Sequence, residues 1–511
     1  MSVKKEIGTH LTSSVLPALT FGAVSGTLAG VAVTLYKYFA KGAVSASSGF
    51  FAFMKEHLWV LPLAAVAVLG VAFLLTVIYK KEPDLQGGGI PASIGTLRGL
   101  FRFHPVKNAA GSFLLSLVAF LFGVPLGTEG PSVQLSTALG AGAARYAPKK
   151  WRAWERFSMT GGASAGFSVA TGAPISGIFF AVEEAHGRIS PLIVLTAVVS
   201  VLFAELFAYM LSPLLGVDVA LFDLENFRAL SLGEFWMPLL AGIVMGAVAY
   251  GFLKLYHLVD DLLRKKWRAP QQIKIFAVFC ATLVAGICSA EFISTGHHMI
   301  AEFFHHTPSL LFLGAILLVR SLLTLSANCV GVTGGIFLPL LAIGSTAGAM
   351  LGTVLGVGEE LAPLFVVFGI AGCIAGMMKM PLTAILFGVE ALGLTSNLLP
   401  LILVCIFAYA IPEALGEESI GECVLERRKE LLHHGKTFTE KETVFAVEKG
   451  SFAVGKEIRD IFWPDGVRVL AVQKAGDGHL LHAGDELLIR ISSFDGRKAE
   501  EELNHIVKYE P

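Results

Sequence analysis

The clearest indication of the fold is a short segment, PLGTEGPSVQ, from Pro125 to Gln134. It places one carboxylate, Glu129, between small residues in the middle of an apolar region. Ionisable side chains inside a membrane are costly and usually functional. Glycines followed by a proline indicate a helix that starts at this point, because proline suits the first helical turn. We therefore expect a functional carboxylate at a helix N-terminus; the simpler alternative is a glutamate that only stabilises its own helix.

The composition of the whole chain indicates an integral membrane protein. Of its 511 residues, 54% are hydrophobic and 15% are charged, whereas soluble domains carry about 25% charged residues. The mean hydropathy is +0.69. A formal net charge of −1 gives no case for nucleic-acid binding. The six cysteines show no CxxC spacing, so we interpret them as small buried hydrophobic residues and expect no metal site.

The apolar segments are interrupted and repeated. Irregular backbone inside a bilayer is tolerated only where protein buries it or where it lines a cavity. One interrupted segment, APISGIFFAVEEA, begins at Ala173 and has its counterpart, MPLTAILFGVEAL, at Met380. Another, GTEGPSVQL, begins at Gly127 and has its counterpart, GGIFLPLLA, at Gly334. Both pairs are 207 residues apart, which predicts two related halves with a transport site where they meet.

The chain divides into two predicted domains. A membrane transport domain spans residues 1–430, with halves at about 15–215 and 233–430, and a linker occupies 431–440. Residues 441–511 alternate apolar and polar residues between turn signals, as strands of a small α+β domain do. Basic loops and a basic N-terminal segment predict cytoplasmic N- and C-termini by the positive-inside rule.

Three glycine-rich breaks share one pattern, glycines followed by a proline. They are GGGIPAS (Gly87–Ser93), GTEGPSV (Gly127–Val133) and GGIFLPL (Gly334–Leu340). A helix N-terminus carries about half a positive charge and several free N–H donors, which together favour an anion. Three such ends would bind a dehydrated anion without a full cation beside it, so the anion can also leave. Glu129 could occupy the anion's place when ionised and leave it when protonated, as a gate and proton carrier.

These motifs resemble the CLC family of chloride channels and proton-coupled chloride exchangers over about Val15 to Glu430. GGGIP matches the family's GSGIP, GTEGP its G(K/R)EGP, and GGIFLP its GxFxP region. The resemblance implies an all-α polytopic membrane protein, an antiparallel inverted repeat of broken and tilted helices. It also implies a homodimer in a lipid bilayer, with one anion pathway in each subunit.

The resemblance also implies site residues. Glu129 is expected to be the external gate, and Glu184, in FAVEEAHG, the internal proton-transfer residue of exchangers. The alternative for the Glu183–Glu184 pair is a helix cap at the cytoplasmic surface, and Glu390, the repeat partner of Glu183, is assigned to structure. The residues expected to bind the anion are Gly87, Gly88, Gly89, Ile90, Pro91, Thr128, Glu129, Gly335, Ile336, Phe337 and Gly421.

Three of these positions depart from the family pattern. Gly88 stands at the central serine of GSGIP, so no hydroxyl is available to the anion. Gly421 is aligned with the pore-lining tyrosine, which predicts a wider and less polar inner gate. Thr128 stands where relatives often carry Lys or Arg, which makes the outer vestibule less positive.

The expected function is exchange of chloride or a similar small inorganic anion for protons across a bacterial cell (inner) membrane. One alternative is a passive, voltage-gated-type chloride channel, favoured by Gly88 and Gly421 and opposed by Glu184; another is a fluoride/proton antiporter. We expect no enzyme and no cofactor, because we find no HExxH motif and no pairing of a nucleophile with a base. The pairs His297–His298 and His305–His306 lack a supporting ligand frame for zinc.

The C-terminal segment resembles the TrkA-C (RCK-C) regulatory domain of bacterial potassium-transport proteins. The features that carry the resemblance are a GKEI helix start, PDGVRVLAV and GDELLI. It implies a dimeric ligand sensor, and a cyclic dinucleotide is the candidate ligand. The alternative is a domain that only strengthens the dimer.

Overall fold

The computed structural model describes residues 11–87, 89–100, 104–187, 189–222, 227–433, 439–464, 466–473, 480–493 and 496–508. A helical membrane domain comes first and a small module with a β-sheet follows. The predicted fold class is therefore confirmed. The predicted linker, residues 431–440, lies partly outside the described residues, and the domain boundary stays a prediction.

In the residues that the structure describes, the first half of the membrane domain has eight α-helices. They are α1 (Leu16–Glu56), α2 (Leu61–Lys81), α3 (Ile90–Leu97), α4 (Pro105–Leu121), α5 (Glu129–Arg145), α6 (Glu155–Thr171), α7 (Pro174–Phe180) and α8 (Pro191–Leu215). The second half has α9 (Trp236–Asp260), α10 (Gln271–Cys288), α11 (His297–Phe303), α12 (Leu310–Cys329), α13 (Phe337–Leu355), α14 (Ala362–Met377), α15 (Pro381–Glu390) and α16 (Leu398–Ala414). Helix α17 (Ile420–His433) follows both halves.

The helix order repeats with the spacing that the motifs predicted. Helices α6, α7 and α8 begin at residues 155, 174 and 191, and α14, α15 and α16 begin at 362, 381 and 398. Each of these pairs is 207 residues apart, and α5 and α13 begin 208 residues apart, at 129 and 337. Packing repeats as well, since α1 lies against α8 as α9 lies against α16.

Small residues bring the helices of each half close together. A Cβ added to Gly348 of α13 would lie 2.1 Å from Phe365 O of α14, and one added to Gly369 would lie 2.1 Å from Gly344 O. In the first half, a Cβ on Gly162 of α6 would lie 2.3 Å from Ser136 O of α5. Such contacts allow close helix packing in membranes, and they explain much of the chain's high glycine content.

In the described part of the chain, seven helical spans are long and apolar enough to cross a membrane. They are Ser13–Glu56, Leu58–Lys81, Pro191–Leu215, Leu232–Lys266, Gln271–Cys288, Leu310–Cys329 and Phe337–Leu355. Their outer faces carry large exposed apolar side chains, for example Leu63, Val66 and Phe73 of α2, as a lipid-facing surface requires. The chain is a multi-pass membrane protein.

The C-terminal module is a three-stranded antiparallel sheet with one helix. The strands are β1 (Thr439–Ala446), β2 (Val467–Gln473) and β3 (Glu486–Ser493), in the order β1-β3-β2, and the helix is α18 (Gly496–Val507). Leu487, Ile489 and Ile491 of β3 point to one face and are buried against Leu503 of α18 and its neighbours, as the alternation of residues predicts.

Candidate ion-binding site

The three glycine-rich breaks meet between the two halves. Gly127 and Gly335 pair like residues of two antiparallel strands, with N···O distances of 2.6 and 2.9 Å. Gly87 N donates to Gly331 O at 2.8 Å, and Gly334 N donates to Gly87 O at 3.2 Å. Backbone pairing therefore holds the starts of α3, α5 and α13 at one place. Gly88 lies outside the described residues.

Glycine is needed where these breaks cross. Gly89 has φ +80°, a conformation that side-chain-bearing residues rarely adopt. A Cβ on Gly130 would lie 2.5 Å from Gly335 Cα, and a Cβ on Gly89 would lie 3.1 Å from Gly130 Cα. The three backbones are thus in direct contact, and no side chain fits between them.

The side chain of Glu129 lies at the N-terminus of α13. It is fully buried, and its Oε2 accepts a hydrogen bond from Leu338 N at 3.3 Å. Thr128 Oγ1 donates to Oε1 at 3.1 Å. Helix α13 therefore presents its positive end to the carboxylate, which is the environment that an anion prefers.

The N–H groups around the site divide into occupied and unoccupied donors. Gly89 N donates to Gln134 Oε1 at 2.8 Å, and Gly335 N is used by Gly127 O. The N–H groups of Ile336 and Phe337 make no hydrogen bond to any part of the chain that the structure describes. The start of α13 therefore has N–H donors available to a ligand, beside the Glu129 carboxylate.

Several polar side chains that shape the site were missed by the sequence analysis. Gln134 of α5 is fully buried and ties Gly89 N to Asn108 Oδ1. Tyr79 OH accepts a hydrogen bond from Thr333 N at 3.0 Å and contacts Thr333 Oγ1 at 2.8 Å. Their only signal in the sequence is a polar residue within an apolar helix, next to one of the breaks.

The second predicted carboxylate, Glu184, lies in a π-helical turn, Ala181–His186, that extends α7. It is 8% exposed. Arg98, at the end of α3, donates to Glu184 O at 3.1 Å and to Ala185 O at 3.2 Å, and it pairs with Glu422 of α17 at 2.5 Å. Arg98 and Glu422 were also missed by the sequence analysis.

Gly421 lies beside Glu184. It is in the first turn of α17, and a Cβ there would lie 2.6 Å from Glu184 Oε1. The carboxyl group of Glu184 thus occupies the space that any side chain at position 421 would need. Ile420, the preceding residue, is buried in the core cluster that also includes Ile336 and Phe337.

The neighbouring glutamate, Glu183, has a different environment. Its carboxylate accepts hydrogen bonds from Leu382 N at 3.0 Å, Thr383 N at 2.8 Å and Thr383 Oγ1 at 2.7 Å, at the start of α15. Its repeat partner Glu390 does the same at the start of α7, with three distances of 2.8 Å to the N–H groups and hydroxyl of two residues. Glu183 therefore caps the start of α15, whereas the carboxyl group of Glu184 has no such contact in the described part of the chain.

A cavity of about 710 Å³ lies on the Glu129 side of the site, and Thr128 and Leu338 form part of its wall. Lys37 and Arg320 also line it; the Arg320 guanidinium donates to backbone carbonyls, including Ile293 O at 2.8 Å. His297 lines it too, with Nε2 2.6 Å from a backbone carbonyl. Among the described residues, no group of three or more His, Cys, Asp or Glu side chains could hold a metal ion.

Comparison with known proteins places these features in context. Residues 70–413 match a protein family described as "Voltage gated chloride channel". The chain is 28% identical over 445 residues to the H(+)/Cl(-) exchange transporter ClcA of Vibrio parahaemolyticus serotype O3:K6, covering 81% of this chain and 90% of that protein. It is 25% identical over 442 residues to ClcA of Salmonella paratyphi B, covering 81% and 89%.

Two solved structures are similar to the membrane domain. A slow cyanobacterial Cl−/H+ antiporter superposes with a TM-score of 0.72 at 24% identity, covering 81% of this chain and 98% of that one. A CLC-type fluoride/proton antiporter superposes with a TM-score of 0.66 at 21% identity, covering 78% and 96%. These likenesses show that the membrane domain has the same fold.

Proposed function

The chain belongs to the voltage-gated chloride channel family, and from that premise we propose that it exchanges chloride or a similar small anion for protons across a membrane. The observation that carries the proposal is the Glu129 carboxylate on the N-terminus of α13, where Leu338 N donates to it. A side-chain anion in that position is a direct competitor of a transported anion. The names of the ClcA relatives, which are exchange transporters, support the same function.

Anion binding is assigned to the helix starts around Glu129. The N–H groups of Ile336 and Phe337, which have no partner in the described part of the chain, are the main donors. The remaining wall of the proposed site consists of Gly87, Gly88, Gly89, Ile90, Pro91, Thr128 and Gly335. Backbone donors hold an anion without a full positive charge, which keeps its release fast.

In the exchange step, the Glu129 carboxylate and the transported anion compete for the same binding position. When Glu129 is ionised, its carboxylate lies at the N-terminus of α13, where Leu338 N donates to it, and excludes the anion. When Glu129 binds a proton, the neutral side chain loses most of its attraction to the helix N-terminus, and an anion can replace it. Glu129 binds one proton in one step of the transport cycle and releases it in the next. The anion moves across the membrane in the opposite direction.

Glu184 is proposed to bring the proton to Glu129 from the cytoplasmic side. Its carboxyl group accepts no hydrogen bond from the described part of the chain, and it faces the gap that Gly421 leaves. A carboxyl group without fixed partners can bind and release a proton with little rearrangement. Glu183 is excluded from this role because three donors hold its carboxylate.

A passive anion channel is the second candidate function. The observation in its favour is Gly421, which contributes no side chain of its own at the start of α17, so that only the Glu184 carboxyl group fills that space. This candidate keeps Glu129 as a gate but removes the obligatory movement of a proton. The two candidates differ in a measurable quantity, the number of protons moved per anion.

The setting of the site is proposed from the family resemblance. We infer a homodimer in a bacterial cell membrane with both termini in the cytoplasm. The C-terminal module is proposed to be of the TrkA-C type and to bind a regulatory ligand, with a cyclic dinucleotide as the candidate. The observed three-stranded sheet with its helix supports a compact regulatory module at this end of the chain.

Reconstitution tests the proposed function. The full chain is placed in chloride-loaded liposomes, and chloride efflux and external pH are recorded together without a proton ionophore. Uphill proton movement driven by the chloride gradient is the expected result. Chloride efflux without proton movement would contradict exchange and favour the channel, whereas absence of chloride efflux, with transport restored in fluoride, would identify fluoride as the substrate.

A further inference from the structure

The C-terminal module is seated against the membrane domain through aromatic side chains. Phe462 of the module lies with its ring centroid 4.4 Å from that of Phe157 in α6. Phe452 lies edge-on to Trp154 at 5.5 Å. Trp154, Phe157 and Phe462 belong to one buried cluster. Contacts between aromatic rings stabilise a structure by more than the burial of their apolar area alone.

Polar contacts fix the orientation of the module. Arg156, in the first turn of α6, pairs with Glu502 of α18 at 2.7 Å, and both side chains are at most 15% exposed. Arg156 also donates to Trp463 O at 2.8 Å. Ser190 Oγ, at the start of α8, donates to Asp460 Oδ1 of the module at 2.8 Å. An arginine that is shielded from water and bonded to both a carboxylate and a carbonyl group strengthens the contact between the two domains. It also fixes the orientation of one domain relative to the other.

One of these contacts reaches the segment that carries Glu184. The ring of Phe462 packs on His186, with centroids 4.6 Å apart. His186 is the last residue of the π-helical turn that contains Glu184, and its Nε2 is 2.9 Å from Thr160 Oγ1 of α6. The module thus contacts the chain just after Glu184, at His186, and again at Ser190.

The position of Glu184 depends on this backbone. Its carboxyl group has no hydrogen-bond partner in the described part of the chain, so its own side chain does not anchor it. On one side, Arg98 holds the carbonyls of Glu184 and Ala185. On the other side, His186 is held by Thr160 and covered by Phe462. Single π-helical turns are irregular and frequently occur at functional sites. The conformation of this turn is stabilised by its contacts with neighbouring side chains.

We propose that His186 is a positioning residue for the proton carrier Glu184, and that the C-terminal module controls proton coupling by holding His186 through Phe462. The inference rests on the proposed exchange function. With the module seated, Glu184 is held where it passes protons. With the module displaced, the turn is free to shift, and anions cross with fewer protons. A ligand of the module would then act on the coupling ratio.

The experiment uses the full chain in liposomes and measures protons moved per anion. Phe462→Ala and His186→Ala each remove one side of the contact, and the double variant removes both. We expect each single variant to lower proton flux by about twofold to tenfold, the effect of losing one aromatic contact, with anion flux close to wild type. If Phe462 acts only through His186, the double variant has the same effect as His186→Ala alone.

The matched control is Phe445→Ala. Phe445, on β1, is partly buried and packs against the module's own core, so this variant removes the same atoms without removing the contact to His186. Phe462→Leu is the second variant, since an apolar side chain should restore part of the coupling if packing is the cause. Size-exclusion profiles verify that each variant is folded.

The outcomes separate the two proposals. Wild-type exchange with reduced coupling in the Phe462 and His186 variants supports the inference. Wild-type exchange with an unchanged coupling ratio in both variants overturns it and leaves the exchange function intact. An equal loss in Phe445→Ala also overturns it, because the effect would then come from the module's stability. Absence of proton movement in the wild type overturns the exchange function itself and, with it, this inference.

Discussion

The two halves of the membrane domain share one glutamate position and differ at two others. Glu183 and Glu390 are 207 residues apart, and each caps a short helix of the opposite half with three hydrogen bonds. The exchange is reciprocal, since Glu183 binds the start of α15 and Glu390 binds the start of α7. We interpret a carboxylate that both halves keep, with the same contacts, as structural.

The carboxylates at the site have no such counterparts. Ile336 stands 207 residues after Glu129, and Ala391 stands 207 residues after Glu184. The first half therefore contributes the groups that can carry protons, and the second half contributes the N–H donors at the start of α13. This difference between the halves supports the proposed roles of Glu129 and Glu184 in proton transfer.

The largest effect is expected for Glu129→Gln. The amide keeps the size of the side chain but cannot ionise, so it imitates the protonated gate. Proton flux should fall by on the order of 100-fold or more, while part of the anion flux remains. Simultaneous chloride and pH recording in liposomes measures both. Proton movement at the wild-type level would show that Glu129 is not the proton carrier.

Glu184→Ala makes the first half like the second at this position, where Ala391 stands. We expect proton flux to fall by at least about tenfold, with anion flux changed little, because the anion does not use this residue. Glu184→Gln is the control for side-chain volume, and it should lower proton flux as Glu184→Ala does. Coupled transport that survives both substitutions would contradict the internal-carrier role.

Glu183 and Glu390, the glutamates that both halves share, should lose the same amount of stability when each is replaced by glutamine. Glu183→Gln and Glu390→Gln each weaken three hydrogen bonds to a charged group, and each should cost about 1–3 kcal/mol of stability. Thermal unfolding in detergent measures the loss, with the exposed Glu359→Gln as the control. The coupling ratio should stay at the wild-type value. Loss of proton coupling in only one of the two variants would contradict the proposal that Glu183 and Glu390 have the same structural role.

Gly421→Ala tests whether Glu184 depends on a residue outside both halves. The added Cβ would meet Glu184 Oε1 at 2.6 Å, and the flexible carboxyl end has to move. Misplacing an otherwise intact proton carrier should lower proton flux by about threefold to tenfold, with anion flux retained. A fall in anion flux alone would instead assign Gly421 to the anion route.

The smallest effect is expected at the module. Lys456 Nζ lies 4.0 Å above the Phe452 ring and donates to Phe452 O at 2.8 Å. Burial lowers the pKa of Lys456 to about 7, an effect that the charge of Asp460 partly opposes. Above this pKa the folded chain releases the proton, while the unfolded chain keeps it up to about pH 10.4. The unfolded state then binds more protons, so stability rises with pH in that window.

The measurement compares thermal unfolding of the wild type and Lys456→Met near pH 6.5 and pH 9. The wild-type midpoint should rise by about 2–4 °C between them, and the variant, which has no group to titrate at this position, should show a smaller rise. Equal rises in both proteins would mean that another group causes the pH dependence. Lys456 Nζ also donates to Ser13 O at 3.3 Å, so this test concerns the module together with its contact to the membrane domain. It leaves the comparison of the halves unchanged.

The sequence was informative where structure depends on local rules. Glycine and proline fix backbone conformation within a few residues, so the three breaks and the positions of α3, α5 and α13 could be predicted. The 207-residue offset then related the helices of one half to those of the other. Glu129 stood out because a carboxylate is rare in such an apolar setting.

The sequence was silent where contacts join distant parts of the chain. Nothing near Arg98 indicates that it holds the carbonyls of Glu184 and Ala185, and nothing near Phe462 indicates His186. The reciprocal capping by Glu183 and Glu390 depends on the two short helices lying side by side, which only the topology establishes. Side-chain partners of this kind follow from the fold and are not encoded by a pattern.

The backbone pairing of Gly127 with Gly335 limits how the protein can work. Many transporters open alternately to the two sides of a membrane by rocking one repeat against the other. Here the repeats are joined by main-chain hydrogen bonds at the ion site itself, and their glycine backbones touch. A swing of one half would break the site that it is meant to expose. The pairing therefore favours a transport cycle in which side chains move and the two halves keep their relative position.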